Sequence, residues 1–175
     1  VLGAAPGASA HGVGPAGMSV HEAPFDQQFI DMMAAHHMMA TEMAQMALER
    51  SNRAEVKAIA RKMIAAQSQE IADFRKLRRQ WYGDGTFRRY PMDQMMMRSM
   101  GMGPNSMKGL MMSKRFDYAF LSAMIAHHSG ANTTARWQTQ EGTKLVLRRM
   151  AKKIIRDQAG EIGEMIAMRK AWYGR

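Results

Sequence analysis

An all-α fold, a four-helix bundle built from two copies of one helical hairpin, is what this sequence predicts, on three observations. Residues 26–83 align without a gap to residues 117–174, with 18 identities over 58 positions. In both copies apolar residues recur at steps of three and four, the stripe of an amphipathic helix, and no segment carries the alternation of a strand. The 175 residues are 46% apolar and 23% charged, enough to bury a core and too apolar for overall disorder. A repeat of this kind marks a unit that buries its apolar face against its copy.

Residues 1–24 precede the repeats and are rich in Ala, Gly and Pro. Ala8-Ser9-Ala10 follows small apolar residues as an A-x-A pattern, which reads either as the remnant of an export signal or as a flexible tail. The chain has no Cys, which excludes disulfides and thiolate ligands and accords with an extracytoplasmic location: periplasm, cell envelope or secreted. No apolar run reaches the roughly 18 residues of a membrane span, so no transmembrane segment is expected.

Residues 25–175 then read as a single domain. In its first helix Phe29, Met33, His36, Ala40, Met43 and Ala47 form the stripe, and Asp26 after Pro24 is placed to cap the start. The polar stretch Glu49–Arg53 breaks the pattern. A second stripe runs through Val56, Ile59, Met63, Gln67, Glu70, Phe74, Leu77 and Trp81 and stops at Gly83, the residue type that ends helices in a left-handed turn. So short a break makes an antiparallel hairpin. Residues 84–116 form a long crossover with nine methionines, over which a short helix at Met92–Met100 is expected. Residues 117–174 repeat the hairpin, and the sum is a bundle with one long connection between its second and third helices.

Polar residues interrupt the stripes at matching places. His36 and His37 recur as His127 and His128, and Gln67 and Glu70 recur as Gln158 and Glu161. Buried without partners, each would cost about 1–3 kcal/mol, and more for a charged Glu. They must therefore meet one another, as imidazole to carboxylate with Gln filling in, or meet something else.

The methionines say what else. There are 21, against 7 leucines, an inversion of normal usage. A Met stripe at helical spacing is ordinarily plastic core. Here, though, Met33, Met39 and Met43 lie within two turns of His36 and His37, and the nine crossover methionines follow no core period. Thioether and imidazole together select soft ions, copper as Cu(I) above all, with silver as a mimic. Met124 precedes the second His pair, but Ser129, Gly130, Thr134 and Trp137 stand where the first copy has Met38, Met39, Met43 and Met46. The metal set expected is therefore His36, His37, Met33, Met39, Met43, His127, His128 and Met124. The second half either binds more weakly or lends its histidines across the core to a shared site.

With these residues in view, the pattern Asp26-x-x-Phe29…Met33-x-x-His36-His37-x-x-Ala40-x-x-Met43-Ala44, followed by Gln67-x-x-Glu70-Ile71, resembles the bacterial domain-of-unknown-function 305 family. The second copy, Phe116-Asp117-x-x-Phe120-Leu121-x-x-Met124-Ile125-x-His127-His128-x-Gly130-Ala131, is similar, and the likeness extends over about residues 25–174. The resemblance implies a ferritin-like four-helix bundle, usually exported, with some members binding copper or silver through His and Met. Position by position, His36, His37 and Met43 match the first motif and His127 and His128 the second. Thr134-Ala135 replaces the family's Met-Ala step in the second copy.

The function expected is that of a non-enzymatic Cu(I)- or Ag(I)-binding protein, a sequestering protein or chaperone that works with a copper-handling partner. A ferritin-like di-metal oxidase is the first alternative, but it needs a Glu on each of two helices and Glu-x-x-His on the others, and only Glu70 and Glu161 lie on the stripes. A basic module for an anionic partner is the second, resting on the net charge of +10. The basic residues decorate helix faces with no base-reading motif, so nucleic acid is not expected as a partner.

Overall fold

The computed structural model describes residues 23–90, 97–98, 100–102 and 106–174, and among these every regular element is helical. Helix α1 spans Phe25–Arg50 and α2 Ala54–Tyr82. A short α3, Ser106–Met112, precedes α4, Phe116–Glu141, and α5, Leu145–Tyr173. Each long pair packs as a hairpin, α1 on α2 and α4 on α5, and α1 meets α4 across the middle while α3 lies on α4. On the outer side Lys62 reaches Glu164 at 2.9 Å and Lys153 reaches Glu70 at 3.0 Å, so α2 and α5 run antiparallel. None of the described helices is long and apolar enough to cross a membrane.

The hairpin breaks are shorter than the sequence alone indicates, at Ser51–Arg53 and 142–144. The first is tied by the Arg53 N–H to the Ser51 hydroxyl, 3.1 Å. Gly83 and Gly174 end α2 and α5 with φ of 89° and 72°, a region costly for any residue with a Cβ. Both stops are as the sequence predicts.

Asp26 is not the cap of its own helix. Pro24 occupies that position, and no side chain caps α1. The Asp26 carboxylate instead accepts from the backbone N–H of Thr143 and of Lys144, at 3.1 and 3.0 Å, and from the Thr143 hydroxyl. Gln138 Nε2 donates to its other oxygen at 2.6 Å. It thus holds the start of α5, where a carboxylate satisfies free N–H groups and complements the helix dipole. Its repeat partner Asp117 lies 3.5 Å from Arg53 Nε, at the start of α2. The same reciprocity explains two identical tryptophans: Lys144 stands over the Trp81 ring and Arg53 over Trp172. Each hairpin grips the turn of the other.

Apolar side chains form two main clusters. One holds Met43, Val56, Met63, Leu110, Phe120, Met124 and Met165. The other holds Phe29, Ile30, Met33, Phe74, Leu147 and Ile154, with Phe29 and Phe74 edge to face. A third, smaller cluster joins Met32 to Met100 and Met102 of the crossover.

The crossover is fastened at three places. Arg78, buried in α2, donates from Nε to Asp31 at 2.7 Å and from Nη1 to the Asp84 carbonyl at 3.0 Å, and the Tyr90 hydroxyl donates to Asp31. Further on, residues 100–102 sit directly on α4, where a Cβ on Gly130 would overlap the Met100 backbone and one on Gly101 would overlap His127. Finally, Arg50 donates to the carbonyls of Leu110, Met111 and Ser113, closing the C-terminal end of α3. The helix expected over Met92–Met100 falls largely outside the described residues, although residues 97–98 are helical and 100–101 form a turn. Helix α3 was not anticipated. The tail, residues 1–22, with its Ala8-Ser9-Ala10 pattern, also lies outside them.

Candidate metal centre

Helical spacing brings the four histidines to one level of the bundle, all fully buried. His36 of α1 and His127 of α4 meet at the centre, ring centroids 3.6 Å apart and planes inclined by 36°. His37 and His128 lie on the flanks, each 6.3 Å from its neighbour in sequence. The two His pairs share one core.

The flanking histidines are oriented by carboxylates of their own hairpins. His37 Nε2 is 2.9 Å from Glu70 and His128 Nε2 is 2.8 Å from Glu161, with all four residues buried. His36 Nε2 is 2.9 Å from the Met100 carbonyl. Ionised carboxylates and carbonyls only accept, so each imidazole donates its Nε2–H. In a neutral ring Nδ1 then carries the lone pair. That atom has no hydrogen-bond partner in His36, His37 or His128, and neither ring nitrogen of His127 has one. A carboxylate or carbonyl on the far nitrogen is how proteins orient metal-binding histidines.

Electrostatics favours the neutral ring. Burial, reinforced by the nearby His37, lowers His36 from 6.5 to about 3. Burial and then His36 hold His127 well below its ordinary value. Burial raises the Glu70 carboxyl, but the hydrogen bond from His37 together with Lys153 outweighs it and leaves the group below its usual range.

The glutamines do not complete this network. Both amide atoms of Gln67 and of Gln158 are buried without partners, so the expectation that Gln fills in fails on geometry, while the pairing of imidazole with Glu holds. Unpartnered buried groups cost about 1–3 kcal/mol each, so every such group in a folded chain calls for a partner.

The methionines of the expected set divide. Met33 packs with Phe29 and Phe74 on one side of the His layer, and Met43 and Met124 pack on the other. All three are fully buried. Met39 is half-buried and touches both the Met43 cluster and the crossover methionines. The eight residues are therefore a histidine layer flanked by thioethers, with no single point where all converge. Among the described residues, no three of His, Asp and Glu converge as metal ligands. The expected ligand set left out Met32, Met100 and Met102, although Met32 stands one turn before His36 and the crossover methionines as a group argue for copper. Nothing periodic linked Met32 to the crossover.

An open groove of about 440 Å³ runs beside this cluster, lined among others by Met32, Met38, Met39, Glu42 and Tyr90.

The family described as domain of unknown function (DUF305) matches residues 26–169. Among solved structures the chain is similar to CopM in its Cu(I)-bound form, at 30% identity and a TM-score of 0.72, covering 85% of this chain and 97% of that one. CopM in an Ag-bound form gives 31% identity and a TM-score of 0.70, with 85% and 96% covered. A DUF305 protein from Streptomyces coelicolor, a candidate secreted protein, gives 26% identity and a TM-score of 0.72 over 82% and 90% of the two chains. No curated protein matches the chain.

Proposed function

The chain belongs to the DUF305 family, and on that premise we propose that it is a non-enzymatic carrier of soft metal ions, Cu(I) in the first place and Ag(I) as its mimic. The observation that carries this reading is the layer of four buried imidazoles. Three have the Nε2–H committed to a carboxylate or carbonyl and an unpartnered Nδ1. Imidazole flanked by thioether suits a soft monovalent ion, and the central His36 and His127 are held neutral by burial, so no proton has to leave them before the ion enters. The Cu(I)- and Ag-bound CopM structures support the same ion class. The close approach of His36 and His127 favours a shared centre over two independent sites. The cargo role, with hand-over to a copper-handling partner outside the cytoplasm, accords with the lack of Cys and with the Streptomyces coelicolor relative.

Titration with Cu(I) under reducing conditions, read by native mass spectrometry, tests the proposal. Wild-type protein is expected to hold at least one tight equivalent, and His36→Ala with His37→Ala is expected to lose it. Unchanged affinity in the double variant would remove the histidine layer from the site.

A further inference from the structure

The third apolar cluster differs from the other two in kind. Its buried members, Met32, Met100 and Met102, are all thioethers, whereas both main cores mix Met with Leu, Ile, Val or Phe. Met39 packs against it from α1, beside Phe25 and Tyr90. A site meant only to be filled would be served as well by leucine, which is stiffer and does not oxidise. Four thioethers gathered in one cluster from α1 and the crossover have the number and softness that a monovalent coinage-metal ion takes.

The cluster is also reachable from one side. Met32 and Met39 line the open groove, with Met38 and Glu42 in its wall, and Met100 and Met102 are buried behind them, whereas no residue of the histidine layer lines the groove. Two of the four come from residues 100–102, whose position depends on the flat seat at Gly130 and the left-handed turn at Gly101, φ 67°. The Met100 carbonyl in the same stretch takes the hydrogen bond of His36. Gly130 is where the first repeat has Met39, so one copy supplies a thioether at this position and the other supplies the space that lets two more approach.

We propose that Met32, Met39, Met100 and Met102 form a second soft-metal site, a sulfur-only cage at the groove that is completed by the crossover and lies next to His36. This rests on the soft-metal reading above and adds a location to it: the cage receives the ion from solvent, and the histidine layer lies directly behind.

Silver titration of the full-length protein by native mass spectrometry separates the two. Wild type is expected to take one equivalent more than Met32→Leu/Met100→Leu/Met102→Leu, which keeps the histidine equivalent. Gly130→Ala keeps every methionine in the sequence but unseats residues 100–102. It is expected to weaken the same equivalent at least tenfold while helicity by circular dichroism is retained, since Ala favours helix over Gly. In His36→Ala/His37→Ala the remaining ion should show sulfur neighbours alone by X-ray absorption. Full stoichiometry in the triple Leu variant, or undiminished binding in Gly130→Ala, overturns the cage. Failure of the wild type to bind silver at all overturns the underlying reading instead.

Discussion

His36 illustrates what burial does to one side chain. Its neutral ring is favoured in the folded chain, with the pKa moved from 6.5 to about 3, so the unfolded chain takes up the proton first as pH falls. The stability this group contributes is complete above pH 6.5 and is lost as pH falls toward 3, on the order of 5 kcal/mol across that window. Burial moves His127 in the same direction, and the lowered Glu70 adds loss of the same sign below the ordinary carboxylate range. Metal-free protein is therefore expected to show urea midpoints that drop from pH 6.5 downward, with a shallower slope in His36→Gln. Equal slopes would mean His36 does not stay neutral in the fold. Arg78 is the second residue whose role is set by burial. Replacing it by Leu leaves the Asp31 carboxylate buried without its counter-charge, held only by the Tyr90 hydroxyl, a loss of about 3–5 kcal/mol. It also frees the stretch from Asp84 to Tyr90, so trypsin should cut faster after Arg88 and Arg89. Restored stability in Arg78→Leu/Asp31→Leu would identify the unpaired charge as the cause.

The helices show which parts of the fold could be read before the structure. His36, His37 and Glu70 fell on stripes of helical period, and their recurrence 91 positions later gave the layer and its pairing. Gly83 and Gly174 announced their stops. Contacts between elements were not legible, because a period describes one helix and not what faces it. Asp26, placed beside Pro24, reads as a local cap; its partners are 117 and 118 residues away. Gly130 reads as a lost thioether when side chains are compared, although its use is the backbone it lets in. The crossover methionines had no period at all, so neither Met100 nor Met102 could be assigned to a neighbour. Asp26→Ala removes the carboxylate that holds the start of α5 and should lower stability by about 2–4 kcal/mol. Chemical denaturation measures this, and hydrogen exchange should quicken first at Thr143 and Lys144.

At the scale of the molecule, the bundle is a duplication whose halves differ in the chemistry of their side chains. The structural positions, such as Phe29 and Phe120, Trp81 and Trp172, or the paired acids, are kept on both sides. The crossover side has been specialised. Arg78 has Asp31, while the equivalent Arg169 reaches Ser122 at 3.3 Å in the second half. An ion bound only by the folded chain stabilises it by mass action, about 2.7 kcal/mol at a hundredfold excess over Kd. Silver should raise the melting temperature of wild type and fail to do so once both the histidine pair and the crossover methionines are replaced. A rise that persists there would place the ion elsewhere.

The clamp of Asp26 on the turn before α5 bears on how the chain is made. A ribosome delivers residue 26 long before residue 144, so the first hairpin emerges with its acid unanswered and half of a polar layer facing nothing. Local contacts can form at once, but the bonds that close the bundle wait for the last helix. The amino-terminal half is therefore an unfinished surface for most of synthesis, and assembly ends where the sequence begins.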